Sequence, residues 1–150
     1  MMEIIVPDAS VLLKWAFHSI EERDRDCAIV LLHEWIDGKV EIVLPKLWSF
    51  EVGNVLMLKK PDIAPEIMEI FIGYSFMESD MSIELCKETF KLMQKYHVTF
   101  YDAVYHALAI LHKGILLTAD ESYCKKVRDA KHVVRLRDWN IKRKRLESVR

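Results

Sequence analysis

Apolar positions along this chain alternate between two rhythms, short continuous runs and longer helical stripes. The run Ile4-Ile5-Val6 is β-branched and leads straight into Pro7, the pattern of a strand buried on both faces, so residues 3 to 8 are expected to form strand one. Val11 to Phe17 predicts a short apolar helix. Glu21 to Asp37 predicts an amphipathic one, with Cys27, Val30, Leu31 and Trp35 at helical spacing and Gly38 as its C′ residue. Val40 to Leu44 reads as strand two, ended by Pro45. Leu47 to Leu58 is apolar almost all the way round, which predicts a buried helix, and Lys59-Lys60-Pro61 stops it. After Pro65, Glu66 to Met77 predicts a helix rich in Ile, Met and Phe, followed by a short third strand over Met81 to Ile83. Glu84 to Tyr96 places Leu85, Thr89, Leu92 and Met93 on one helical side. Tyr101 to His112 predicts another helix, ended by Gly114. Ile115 to Thr118 reads as strand four, Glu121 to Ala130 as a helix and His132 to Leu136 as strand five. Strands alternating with helices imply a parallel sheet with helices on both faces.

Composition narrows the class without naming a function. With 150 residues, 51% hydrophobic and 30% charged, the chain is expected to fold as one globular domain over its whole length. The formal net charge of -1 gives no general pull toward nucleic acid, so a polyanion would need a local patch or bound cations. Cys27, Cys86 and Cys124 are far apart and odd in number, which argues against a disulfide framework or a zinc site and fits the cytoplasm. Met-Met-Glu runs directly into strand one, so no signal peptide is expected, and no apolar run approaches the ~20 residues of a membrane span. The end of the chain, about 141–150, holds Lys142, Arg143, Lys144, Arg145 and Arg150. It reads as a solvated basic tail or as a contact for RNA or a partner.

The candidate chemistry lies in four carboxylates. Asp8 follows strand one directly, where ligands bind in open α/β sheets. Asp120 repeats that placement after strand four, although it also reads as a helix cap. Glu51 lies within an all-apolar helix with Asn54 on the same face; it either reaches solvent or pairs with a lysine such as Lys14 or Lys46, or it belongs to a site. Asp102 opens a second apolar helix, where Thr99-x-x-Asp102 also resembles a capping pair. If strand four lies beside strand one, all four acids meet at the switch point. Carboxylates so placed raise one another's pKa, and Mg²⁺ or Mn²⁺ bound among them would relieve the repulsion and could act on a phosphodiester. A phosphoacceptor receiver domain, the rival on the same architecture, needs an acidic pair after strand one, and Asp8 is followed by Ala9.

Four segments, in order, carry a resemblance. They are Val6-Pro7-Asp8-Ala9-Ser10-Val11-Leu12-Leu13-Lys14-Trp15; Leu44-Pro45-x-Leu47-x-x-x-Glu51-Val52-x-Asn54-Val55-Leu56; Tyr101-Asp102-Ala103-x-Tyr105-x-Ala107-Leu108-Ala109; and Leu117-Thr118-Ala119-Asp120. This set resembles PIN-domain ribonucleases, in particular the VapC-type toxins of toxin–antitoxin pairs. The resemblance implies a three-layer α/β/α sandwich with a parallel five-stranded sheet of order 3-2-1-4-5. It implies Mg²⁺- or Mn²⁺-dependent RNA cleavage by Asp8, Glu51, Asp102 and Asp120, with Ser10 and Thr118 orienting ligands and Asn54 supporting Glu51. Lys14 and Lys46 are the nearest basic candidates for substrate phosphates. The apolar residues of Ile63 to Met77 exceed one core-facing stripe and read as a partner surface or as a plain core helix; the resemblance implies antitoxin and homodimer contacts near there. The alternatives are a PIN fold kept for protein binding without catalysis, and an RNA-processing nuclease unrelated to toxicity. After Asp120 the chain continues Glu121-Ser122, which leaves a fifth ligand open, and His106 lies one turn beyond Asp102 as a buried histidine or a proton shuttle.

Overall fold

The computed structural model describes residues 2–17 and 22–139; the basic tail expected at 141–150 lies outside them. The first strand, β1 (Glu3–Pro7), is followed by α1 (Ala9–Ala16) and α2 (Arg25–Ile36), then by β2 (Val40–Pro45). Next come α3 (Leu47–Lys59), α4 (Ala64–Gly73) and β3 (Met77–Ser79), then α5 (Ile83–Tyr96) and α6 (Phe100–Leu111). The chain continues through β4 (Ile115–Thr118), α7 (Glu121–Lys126) and β5 (Val133–Arg135). All pairings are parallel and the sheet order is β3-β2-β1-β4-β5.

This order makes β1 the centre of the sheet and the β1/β4 boundary its switch point. Ile5 pairs with both Ile42 and Ile115, and the Asp8 N–H extends the β1–β4 ladder by donating to the Leu117 carbonyl at 3.1 Å. α1 packs on β1 and β4 with α2 and α3 beside it, whereas α6 lies against β1, β2 and β4 and carries α5. The apolar run of β1 explains its place: Ile5 and Val6 are fully buried. The alanines of α6 let it approach closely; Ala103, Ala107 and Ala109 are all at 0% exposure. Gly114 marks an even closer approach, since a Cβ there would stand 2.4 Å from the Ile4 carbonyl oxygen. Gly38, at φ +73°, ends α2 in the left-handed conformation that glycine adopts without strain.

Several elements differ from the sequence reading; the helix expected over Glu121 to Ala130, for one, ends at Lys126. α4 starts two residues before the expected Glu66 and stops at Gly73, short of Met77. Ser75, at φ 53°, then turns the chain, and Phe76 enters the core. The third strand is therefore Met77–Ser79 rather than Met81–Ile83, because Val43, Leu44 and Pro45 offer a free edge in register with it. Trp48 Nε1 fastens that strand by donating to Glu78 Oε2 at 2.7 Å. α2 starts at Arg25, later than Glu21, after Asp24 takes a left-handed φ of 58°.

Candidate active site

The loop after β1 and the loop after β4 are tied together through one carboxylate. The Ser10 hydroxyl donates to Asp8 Oδ1. The Thr118 hydroxyl donates to Asp8 Oδ2 at 2.5 Å. Each hydroxyl also accepts a backbone N–H from the loop after β4: Ser10 Oγ from Ala119 across the two loops, and Thr118 Oγ1 from Asp120 within its own, both at 3.0 Å. Each hydroxyl proton is thus committed to Asp8. Asp8 Oδ1 also accepts the Val11 N–H at 3.4 Å, so Asp8 caps α1 as well. That leaves Oδ2 with a single hydrogen bond and a spare lone pair.

Asp120 behaves in the same way one strand over. Its Oδ1 accepts the Tyr123 N–H at 3.0 Å and caps α7. Asp102 is relieved of capping because Thr99 Oγ1 takes its N–H at 3.3 Å, so its carboxylate stays at the solvent boundary. Glu51 is half-buried on α3, and its Oε1 accepts the Tyr105 hydroxyl at 2.6 Å.

The electrostatics link the four acids. Burial raises the Asp8 pKa to about 6 against the pull of its hydroxyl partners, and the Asp120 charge adds to the rise. Desolvation and then Asp120 raise Asp102; desolvation raises Glu51, and Asp102 adds to it while the Tyr105 hydroxyl opposes it. Tyr105 is held protonated by burial and by Glu51, Asp8 and Asp102 around it. Oxygen donors that repel one another in this way suit a hard divalent cation, so the donor set fits one. Among the described residues, no three His, Cys, Asp or Glu side chains are close enough together to hold an ion by themselves.

Other expected residues lie elsewhere. Asn54 is exposed, and the partner of Glu51 is Tyr105, three residues after Asp102 on α6; that spacing is the signal by which it could have been found. Lys14 is buried and donates to Glu22 Oε1 at 2.8 Å and to the Arg23 carbonyl at 2.5 Å, tying α1 to the turn before α2. Lys46 pairs with Asp80 at 2.6 Å. Neither lysine pairs with Glu51. His106 is fully buried: its Nε2–H donates to the Lys131 carbonyl and its Nδ1 accepts from the Tyr123 hydroxyl, both at 2.8 Å, and burial lowers its pKa. It is a neutral structural imidazole. The three cysteines are free thiols, and burial pushes Cys124 up to about 11.

The PIN domain profile matches residues 5–129. The chain belongs to the PIN domain family. No curated protein sequence matches it significantly. Solved PIN-like structures resemble it over most of their length. A toxin–antitoxin complex from Klebsiella pneumoniae has a chain 18% identical, with a TM-score of 0.66, covering 87% of this chain and 95% of its own. PAE2754 from Pyrobaculum aerophilum is 22% identical with a TM-score of 0.63, covering 94% of each chain. Mycobacterium tuberculosis VapC20, described as a sarcin-ricin loop cleaving toxin, is 12% identical with a TM-score of 0.58, covering 77% of this chain and 87% of its own. In this PIN domain, the acids expected from the motifs all border the C-terminal ends of β1 and β4 or the helices that flank them. No helix among the described residues is long and apolar enough to cross a membrane.

Proposed function

We propose that this PIN domain is a divalent-metal-dependent endoribonuclease, the toxin of a toxin–antitoxin pair. The observation that carries the reading is Asp8, fixed by two hydroxyls at the switch point with Asp120, Asp102 and Glu51 around it. Asp8, Asp102 and Asp120 are the residues to hold Mg²⁺ or Mn²⁺. A cation held there would offset the charge on the phosphate oxygens and lower the pKa of water. Since no three such side chains among the described residues are close enough to hold an ion by themselves, water would have to complete its shell, as Mg²⁺ tolerates.

The chain's own groups do the rest. Ser10 and Thr118 hold the Asp8 carboxylate still. Tyr105 donates to Glu51 Oε1 and leaves Oε2 to take the proton of the attacking water. The water oxygen bonds to phosphorus as one P–O ester bond breaks, and the departing ester oxygen keeps that electron pair and takes a proton from solvent. Lys14 is committed to Glu22 and takes no part in this reading.

Toxicity, an antitoxin partner and a homodimer are supported by likeness to structures described as toxins and toxin–antitoxin complexes, and by apolar side chains exposed on α3 and α4. The test is RNA cleavage by the wild type and Asp8→Asn in Mg²⁺ or Mn²⁺, together with growth after induced expression of each. Loss of cleavage and of growth arrest in Asp8→Asn is expected. Equal cleavage by both proteins would sink the assignment.

A further inference from the structure

A cavity lies beside the acid site. α7 begins next to Asp120, and its residues line one wall of a cavity of about 600 Å³ completed by Val133 of β5, Arg135 and Asp138. A volume of that size suits a small organic ligand, and a single nucleotide is within range. Lys125, Arg128 and Arg135 bring cations to it; Glu121 and Asp138 bring anions.

The charges there are ordered. Arg135 is braced by Asp138, which accepts from its Nε and Nη2 at 3.2 Å each, and its Nη1 stands 3.9 Å from Glu121. Arg137 bridges Glu121 at 3.5 Å and Asp24 at 3.3 Å. The acids are thereby matched by arginines. Lys125 and Arg128 are left exposed on the lip without an ion pair among the described residues.

The cavity adjoins the acid site through α7: Asp120 caps that helix, and Glu121, the next residue, lines the cavity. Cys124 lines it, and its thiol feels Asp8 and Asp120 as well as Arg135 and Asp138. Lys126, the next residue along α7, is an exposed cation as well. Three exposed cations, Lys125, Lys126 and Arg128, therefore lie on or just after the helix that Asp120 caps. A base can enter such a recess only when it is unstacked, which favours a single-stranded or looped substrate.

The geometry points to this cavity as the seat of the nucleotide beside the scissile phosphate of a single-stranded RNA. Lys125 and Arg128 hold its phosphate, Val133 flanks its base, and Arg135 is the fixed cation on the rim. The inference rests on the nuclease reading and adds the substrate's position to it.

The test is fluorescence anisotropy of a labelled short single-stranded RNA of mixed sequence, bound to the Asp8→Asn protein in Mg²⁺ across a salt titration. In that background, Lys125→Glu with Arg128→Glu is expected to weaken binding about tenfold or more. The slope of log affinity against log salt should become shallower by roughly 1.4, about 0.7 for each lost phosphate contact. Lys87→Glu with Lys91→Glu, on exposed α5 positions, should change neither. Both cavity side chains are exposed; if the double reversal nevertheless fails to fold, Lys125→Gln with Arg128→Gln takes its place, with the same direction expected. Unchanged affinity in the cavity variant overturns the inference, and so does an equal loss in the α5 control. If wild-type cleavage meanwhile still depends on Mg²⁺ and on Asp8, the nuclease reading stands without it. Displacement of the RNA by oligoglutamate at equal charge would reassign the cavity to an acidic peptide. An absence of RNA binding in every form overturns both readings.

Discussion

A capping carboxylate and a site carboxylate are not alternatives at Asp8. One oxygen accepts the Val11 N–H of α1 while the other takes only the Thr118 hydroxyl and keeps a spare lone pair, and Asp120 likewise caps α7 through Tyr123 with one oxygen. The strain of this arrangement is electrostatic and has a definite sign. The Asp8 pKa stands at about 6 against 3.8 for the free group, so the folded protein binds its proton more tightly than the unfolded chain does. Its contribution to stability is most favourable below about pH 4 and falls as the pH rises to 6 and beyond. At about 1.4 kcal/mol per pKa unit the loss is roughly 3 kcal/mol. Asp8→Asn removes that pH dependence; its mismatch with the Ser10 and Thr118 hydroxyls only offsets the whole curve. Urea unfolding in chelator should therefore show the variant gaining on the wild type by up to about 3 kcal/mol between pH 4 and pH 7.5. A difference that stays flat with pH would contradict the burial of this charge. Tyr105→Phe acts in the opposite sense on Glu51: it removes the hydrogen bond that opposes the raised pKa. The acidic limb of the pH–rate profile should move to higher pH, with the rate falling more at pH 6 than at pH 8. Parallel profiles would show that Tyr105 does not tune Glu51.

At the scale of the element, close approach is as decisive as chemistry. Gly114, the residue before β4, lies under the Ile4 carbonyl, with 2.4 Å where a methyl group would go, and a backbone oxygen cannot turn aside. Gly114→Ala should destabilise by about 1–3 kcal/mol, read as a lower urea midpoint at unchanged slope, and should loosen the β1–β4 seam that the acid site straddles. An unchanged midpoint would mean that the strands can spread. The elements legible in the sequence were those with one unambiguous rhythm. The β-branched run of β1 and the short apolar run Ile115–Thr118 announced parallel strands, and the four motif segments carried the acids in order. β3 was misplaced because Ile, Met and Phe from 63 to 77 satisfy a helical stripe, while Ser75 gives no local sign of its positive φ. The partners of Lys14 and Glu51 were illegible for another reason. They depend on which loop lies over α1 and on how α6 faces α3, contacts set by tertiary packing. The string Asp24–Arg137–Glu121–Arg135–Asp138 likewise joins residues more than a hundred positions apart.

For the molecule as a whole, the open question is what covers α3 and α4. Phe50 and Leu58 are 75% and 76% exposed, and Met57, Ile63, Ile70 and Ile72 are exposed with them, on or beside two helices that pack against each other. Their inner faces are already filled: Trp48, Val52, Leu56 and Phe71 are buried in a core where Trp48, Phe71 and Phe76 rings meet edge-on or tilted. The outer side chains are therefore surplus to the core, and apolar surplus of this kind marks a partner surface. A second copy of the chain is the partner expected in a purified preparation. Sedimentation at micromolar concentration should give a dimer for the wild type and a monomer for Leu58→Glu with Ile70→Glu. The substituted side chains lie in water in the free subunit, so the monomeric variant should keep its melting temperature within the narrow range usual for surface changes, apart from any contribution that association itself makes. The two effects separate on dilution: the wild-type melting temperature should drift down toward that of the variant, which should not move. A wild type that sediments as a monomer at these concentrations would remove the dimer and leave the face to a different protein partner. Because α3 also carries Glu51, half-buried against Tyr105, whatever docks on its outer side presses on the helix that holds one of the four acids. Cleavage rates compared between dimer and monomeric variant, at equal subunit concentration, would then show whether assembly and catalysis are coupled through that helix.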